Sequence, residues 1–251
     1  MIVTESYVDL KTPSGSMRTY VYKPASPGKY PGLVFFSEIF HQTGPIKRTA
    51  KILAGHGFIV VVPEIFHEFE EAGTVIPYDQ EGADRGNRYK VSKAIQSYDD
   101  DAVAALDFLT SSADCTGKLG VIGVCIGGHL SFRAGMNSHV LASVCFYATD
   151  IHKRSLGLGM NDNSLDRIGE IKGELMMIWG RQDPHVSDEG RAIIYQALTK
   201  AGTNFTWHEF NAQHAFLRDE GPRYDPELAF ITLNMAISLF KRRLGEGDLN
   251  S

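Results

Sequence analysis

Residues 119–129 read Leu119-Gly120-Val121-Ile122-Gly123-Val124-Cys125-Ile126-Gly127-Gly128-His129. A short apolar run enters a Gly-x-Cys-x-Gly-Gly turn, and a helical pattern over 127–136 leaves it. A strand that turns sharply into a helix through a nucleophile between glycines is a nucleophile elbow, here with Cys in place of Ser. The turn is tight, so bulk at Gly123 or Gly127 would meet neighbouring backbone. The helix that starts here aims its free N–H groups at the thiol, which favours thiolate. The N–H of Ile126 would also face an oxyanion. Two other readings compete. One is a buried structural cysteine. The other is a phosphate loop, since Gly123 and Gly128 have the Walker spacing. His129 and Leu130 stand where that loop needs Lys and Ser/Thr, so nothing would reach the terminal phosphates or hold magnesium.

Outward from the turn, residues 32–36, 58–62, 141–146 and 175–179 are continuously apolar, like 119–123. Such strands belong to a parallel sheet covered on both faces. Residues 2–10 and 17–23 flank a turn and read as an antiparallel pair, and 205–210 is a further strand. Helical spacing occupies 45–56 and 91–109. Ser187-Asp188-Glu189 opens a helix over 191–201 with N-capping chemistry. Asp225-Pro226-Glu227 opens a last helix that runs to about Leu244. The expected fold class is α/β, an α/β-hydrolase fold with a mostly parallel sheet of about eight strands and helices on both faces. Residues 1–244 are expected to form one domain and 245–251 a flexible tail. Residues 63–90 are polar and weakly periodic, too long for a passive connection, and read as a lid or substrate-binding segment.

Composition bounds the function. The 251 residues hold 25 Lys+Arg against 30 Asp+Glu, a net charge of −5, with 43% apolar and 22% charged residues. A mild acidic excess argues against a nucleic-acid or anionic-membrane partner. The longest apolar runs are too short to span a bilayer. The first residues, MIVTESYVDL, lack the basic-then-apolar pattern of an export signal, so a cytoplasmic location is expected. Three cysteines make no disulfide framework. Cys145 reads as core, and Cys115 as a loop residue without a role.

A thiol nucleophile needs a base, and the base needs an orienting acid. Sites in parallel α/β sheets gather at the carboxyl ends of strands. His214 lies just past the last strand, whereas His208 falls within it and His185 follows Asp183-Pro184. Asp183 follows the strand at 175–179, and the order Cys125, Asp183, His214 is that of α/β-hydrolase triads. The competing readings are an Asp-Pro turn for Asp183 and Asp150 as the acid. Glu38 ends the strand at 32–36 among apolar residues, a position that suggests function, the alternative being a pair with a local Arg. The N–H of Ile39 occupies the place of the second oxyanion donor. Asp99-Asp100-Asp101 reads as solvated, His67-Glu68 lacks a second His, and no Cys-x-x-Cys occurs. No metal and no cofactor are expected.

Together these residues resemble the dienelactone hydrolase family (carboxymethylenebutenolidases). Four motifs carry the resemblance: Ser37-Glu38-Ile39-Phe40, Gly123-Val124-Cys125-Ile126-Gly127-Gly128, Trp179-Gly180-Arg181-Gln182-Asp183-Pro184 and His214-Ala215-Phe216-x-Arg218. It implies a catalytic triad of Cys125, Asp183 and His214, oxyanion amides from Ile39 and Ile126, and a Glu38 that holds the resting thiol until substrate binds. It also implies a small-molecule lactone or ester substrate that carries a carboxylate, bound by two arginines. Arg218 matches one. Arg85, with Tyr89 one helical turn on, matches the other, and Arg88 is the alternative. The expected function is hydrolysis of a dienelactone-like enol lactone or related ester through an acyl-enzyme. An amidotransferase-type thiol enzyme is the first alternative, although no late His-x-Glu occurs. A non-catalytic ligand-binding or thiol-sensing protein of the same fold is the second.

Overall fold

The computed structural model describes residues 1–245. The apolar runs become the centre of one eight-stranded sheet. Its strands are β1 (Val3–Thr12), β2 (Gly15–Pro24), β3 (Tyr30–Phe36), β4 (Ile59–Pro63), β5 (Cys115–Val124), β6 (Val140–Phe146), β7 (Glu174–Gly180) and β8 (Phe205–Phe210). Their order is β1-β2-β4-β3-β5-β6-β7-β8. β2 pairs antiparallel with β1 and β4, and all pairings from β4 to β8 are parallel. The helices are α1 (Gly44–Gly55), α2 (Gln80–Ser92), α3 (Ile95–Ser111), α4 (Ile126–Ala134), α5 (Asp188–Ala201) and α6 (Pro226–Leu244).

Side chains alternate across a strand, so a strand apolar on both faces needs cover on both. Leu33 and Phe35 pack with Leu53 of α1 and Phe240 of α6. Val34 and Phe36 pack on the other face with Leu106 and Leu109 of α3. Further along that face, Met177 and Trp179 of β7 meet Ile194 and Leu198 of α5. The caps form as the sequence suggests. Ser187 Oγ accepts from Gly190 N (3.2 Å), and Asp225 Oδ1 accepts from Leu228 N (2.9 Å) ahead of Pro226. No helix among the described residues is long and apolar enough to cross a membrane. The expected tail lies outside the described residues beyond Gly245.

Two local readings are corrected. Cys115 does not lie in a loop; it is the buried first residue of β5. Within residues 63–90, residues 64–79 carry no helix or strand, and α2 takes up the rest. The helix expected over 91–109 is two helices, with Lys93 extended between them (φ −76°, ψ 137°). The break has an electrostatic cause. Lys93 is fully buried, and its ammonium donates to Ile65 O (2.9 Å) and Asp101 Oδ2 (2.6 Å) and pairs with Glu68 (2.9 Å). The chain leaves helical geometry to bring that cation under the 64–79 segment. A buried pair that loses one partner leaves an uncompensated charge. Lys93→Met should therefore cost about 3–5 kcal/mol in urea unfolding.

Candidate active site

Cys125 joins β5 to α4 with φ 61° and ψ −123°, a conformation that L-residues rarely adopt. The glycines around it are a packing requirement. A Cβ on Gly123 would lie 1.9 Å from Gly127 O, one on Gly127 2.1 Å from Phe36 O, and one on Gly128 2.7 Å from Phe146 O. The turn is bonded to its neighbours: Cys125 N donates to Phe146 O (3.1 Å), and Thr149 N donates to Cys125 O (3.3 Å). The thiol is half-buried. Ile126 is the first residue of α4, so its N–H has no intrahelical acceptor. Left-handed backbone recurs in the loops after β3, β6 and β8, at His41, Tyr147, Asp150 and Ala215, which places the strain along the carboxyl edge of the sheet.

The loop after β8 brings His214 to this edge, and the loop after β7 brings Asp183. His214 Nδ1 donates to Asp183 Oδ2 at 2.6 Å, both side chains being buried. The other carboxylate oxygen accepts from His185 N (2.8 Å), which fixes the acid. With Nδ1 engaged, the remaining ring nitrogen of His214 is the one available to the Cys125 thiol, its other side-chain partner. Burial disfavours the imidazolium, but Cys125 and Asp183 outweigh it and push His214 up to about 10. The His185 ring packs edge-on against His214, 4.6 Å between centroids, and burial pushes its pKa down. Asp150, the rival acid, is instead bonded to Lys90 (2.8 Å) and Ser155 (3.1 Å). Asp183, His185 and His214 have ligand atoms within 4.8 Å of one another.

Glu38 is buried at the end of β3. Burial raises its pKa, and the charges of Arg218 and His214 oppose that rise. Its Oε2 accepts from Tyr78 OH (3.1 Å) and lies 3.8 Å from Arg218 Nη1. In this structure Glu38 is bonded to Tyr78 and not to Cys125. The Arg218 guanidinium stacks on the Tyr78 ring at 4.5 Å.

Cys125, His214, Glu38, Ile39 and Arg218 line one cleft of about 390 Å³. Arg85, Tyr89 and Arg88 are not on its walls. Arg85 and Tyr89 do share a face of α2, with Nε donating to the Tyr89 hydroxyl (3.2 Å), but that face turns toward the 64–79 segment. There Arg85 pairs with the carboxylate of Glu70, and Tyr89 stacks on Phe69 (4.9 Å between centroids). The cleft cations besides Arg218 are Lys90, Lys153 and Arg223. Sequence reasoning passed over these, together with Tyr78. The available signal was position, since Lys153 and Arg223 sit in loops after β6 and β8, at the carboxyl edge.

A mostly parallel sheet with a nucleophile turn after β5, an acid after β7 and a histidine after β8 defines an α/β-hydrolase. Within that class, the profile of the dienelactone hydrolase family matches residues 17–244, and the chain belongs to this family. It is 41% identical to a Saccharomyces cerevisiae protein named "Putative carboxymethylenebutenolidase", over 97% of this chain and 93% of that one. It is 24% identical to the carboxymethylenebutenolidase of Pseudomonas sp. (strain P51), over 91% of each. The crystal structure of a "Putative Dienelactone Hydrolase" from Klebsiella pneumoniae superposes with a TM-score of 0.84 at 18% identity, covering 96% of this chain and all of that one. The chain is a hydrolase that acts on esters or lactones.

The raised His214 pKa has a consequence for stability. A histidine whose folded pKa exceeds its unfolded value stabilises fully below the unfolded pKa, and that contribution is lost as pH rises through the folded one. The window here runs from 6.5 to about 10. Urea unfolding of wild type and His214→Gln should show the largest gap below pH 6.5 and a gap that narrows steadily toward pH 10.

Proposed function

We propose that this protein hydrolyses an enol lactone or related ester bearing an anionic group, through a Cys125-His214-Asp183 triad and an acyl-enzyme. The observation that carries this reading is the 2.6 Å His214–Asp183 bond beside a cysteine held in elbow geometry. In this account the Cys125 thiolate attacks the substrate carbonyl carbon and forms a C–S bond. The N–H groups of Ile39 and Ile126 hold the tetrahedral oxyanion, a contribution of roughly 3–4 kcal/mol per donor in comparable sites. Collapse breaks the ring C–O bond, and the enol oxygen leaves with the proton that His214 took from the Cys125 thiol, which returns His214 to its neutral form. Water then gives its proton to His214, attacks the thioester and returns the thiolate. An enolate is a good leaving group, so a thiol nucleophile suffices.

Asp183 keeps the His214 ring in one tautomer and stabilises the imidazolium. Glu38 stands ready to accept or release the thiol as the family resemblance implies, with Arg218 beside it. An anionic substrate is supported by the cleft itself. Arg218, Arg223, Lys90 and Lys153 line it, against Glu38, Asp79 and Asp150, in a chain of net charge −5. The 64–79 segment roofs the Glu38 end through Tyr78, which supports the reading of a lid.

The test is turnover of a panel of enol lactones and aryl esters. Cys125→Ala should abolish hydrolysis, and undiminished turnover in that variant would contradict the mechanism. Asp183→Asn should lower kcat by about 10³–10⁴-fold. Arg218→Gln should raise KM for a carboxylated ester about tenfold or more, as expected for a lost charge-assisted hydrogen bond, while a neutral ester of the same leaving group is less affected.

A further inference from the structure

Tyr78 belongs to none of the motifs that mark the family, yet it contacts Glu38, Arg218, Phe40 and Thr43. It ends the 64–79 segment, one residue before Asp79, whose Oδ1 accepts from Gly82 N (2.7 Å) to cap α2. Its position is set by backbone packing. Ile76 N donates to Phe40 O (3.1 Å). A Cβ on Gly82 would lie 2.1 Å from Pro77 O, and one on Gly86 2.6 Å from Ile39 O, so α2 lies directly on the chain that follows β3. The Tyr78 ring is held between the Phe40 ring, 4.7 Å between centroids, and the Arg218 guanidinium.

The hydroxyl is committed in one direction. Burial pushes the Tyr78 phenol well up, so it stays protonated and donates to Glu38 Oε2. Its oxygen lies 2.7 Å from Thr43 Oγ1, which must then donate to it. Thr43 is the N-cap residue of α1, where a threonine hydroxyl ordinarily accepts from the first turn of the helix. Here it makes no capping bond and is spent on Tyr78. A chain of two hydrogen bonds, Thr43 to Tyr78 to Glu38, thus converges on one carboxylate oxygen.

We propose that Tyr78 is a positioning residue for Glu38: its hydroxyl, backed by Thr43, holds the carboxylate toward Arg218 and off Cys125, leaving the thiol to His214. The inference rests on the Cys125 mechanism above and adds to it the part that sets which partner the thiol has. Without the hydroxyl, Glu38 is free to turn back to the thiol and compete with His214. The charged and titratable groups that face Glu38 are Arg218, His214, Arg223 and Tyr147, besides Tyr78 itself. None of the others replaces the lost donor at 3.1 Å. The Tyr78 bond favours the charged carboxyl, so its loss moves Glu38 titration to higher pH.

The experiment compares Tyr78→Phe, Thr43→Val, Glu38→Gln and Tyr78→Phe/Glu38→Gln, with iodoacetamide alkylation of Cys125 from pH 5 to 9 and hydrolysis of a neutral aryl ester. Tyr78→Phe should slow alkylation and kcat by about tenfold, the worth of one hydrogen bond to a charged group. KM for the neutral ester should change by less than about twofold, since the ring that lines the cleft is kept. The acid limb of the alkylation profile should move up, and Thr43→Val should give a smaller change in the same direction. In the Glu38→Gln background, Tyr78→Phe should add no further loss. Wild-type alkylation in Tyr78→Phe, or an equal loss with and without the Glu38 carboxylate, would overturn the assignment. Cys125→Ala assayed in parallel keeps the two levels apart: its inactivity preserves the thiol mechanism whichever way Tyr78 falls.

Discussion

The structure hangs on the backbone of Cys125. A non-glycine residue at φ 61° costs about 1–3 kcal/mol and persists only where its surroundings over-determine it. Here they do so from three sides. The glycines at 123, 127 and 128 let the turn press against the backbone of β3 and β6, where any Cβ would collide. Hydrogen bonds to Phe146 and from Thr149 hold both sides of the cysteine peptide. α4 begins at the next residue, so its first N–H groups are directed at the thiol edge of the sheet. Relaxing that conformation would withdraw the thiol from His214.

Around this fixed point, two buried carboxylates are given different surroundings. Asp183 sits against a histidine and a backbone N–H, which together engage both of its oxygens. Glu38 lines the cleft, bonded to a phenol and only loosely to Arg218, with its pKa raised by burial. The 64–79 segment is held from beneath by the buried Lys93–Asp101 pair and meets the site through Tyr78.

Much of this could be read from residue order. Continuous apolar runs separated by helical spacing imply a sheet covered on both faces, and the five runs become β3 to β7, with the flanking pair and the 205–210 strand as β1, β2 and β8. Gly-x-Cys-x-Gly-Gly is legible because glycine has few other reasons to cluster about a cysteine. Asp183 and His214 follow from the rule that functional loops leave the carboxyl ends of strands. The details that escaped share a cause: a long polar side chain does not announce its partner. Lys93 has the look of an exposed helical residue, so its burial, and the helix break it enforces, were invisible. Arg85 has the family spacing with Tyr89, but a buried glutamate fifteen residues earlier captures it. Tyr78 lies in a segment without periodicity, where nothing predicts which side chain turns inward. Cys115 was misplaced because β5 begins with a polar stretch, Thr116-Gly117-Lys118, ahead of its apolar run.

The central claim is that Cys125 carries the acyl group. The direct measurement is rapid acid quenching during turnover of an aryl ester with slow deacylation, followed by intact-mass and peptide mass spectrometry. The account predicts a transient adduct of one acyl mass on the peptide that contains Cys125, formed at the rate of phenol release. Phenol release in a burst with no acyl mass on that peptide, or with the adduct on another residue, would contradict it.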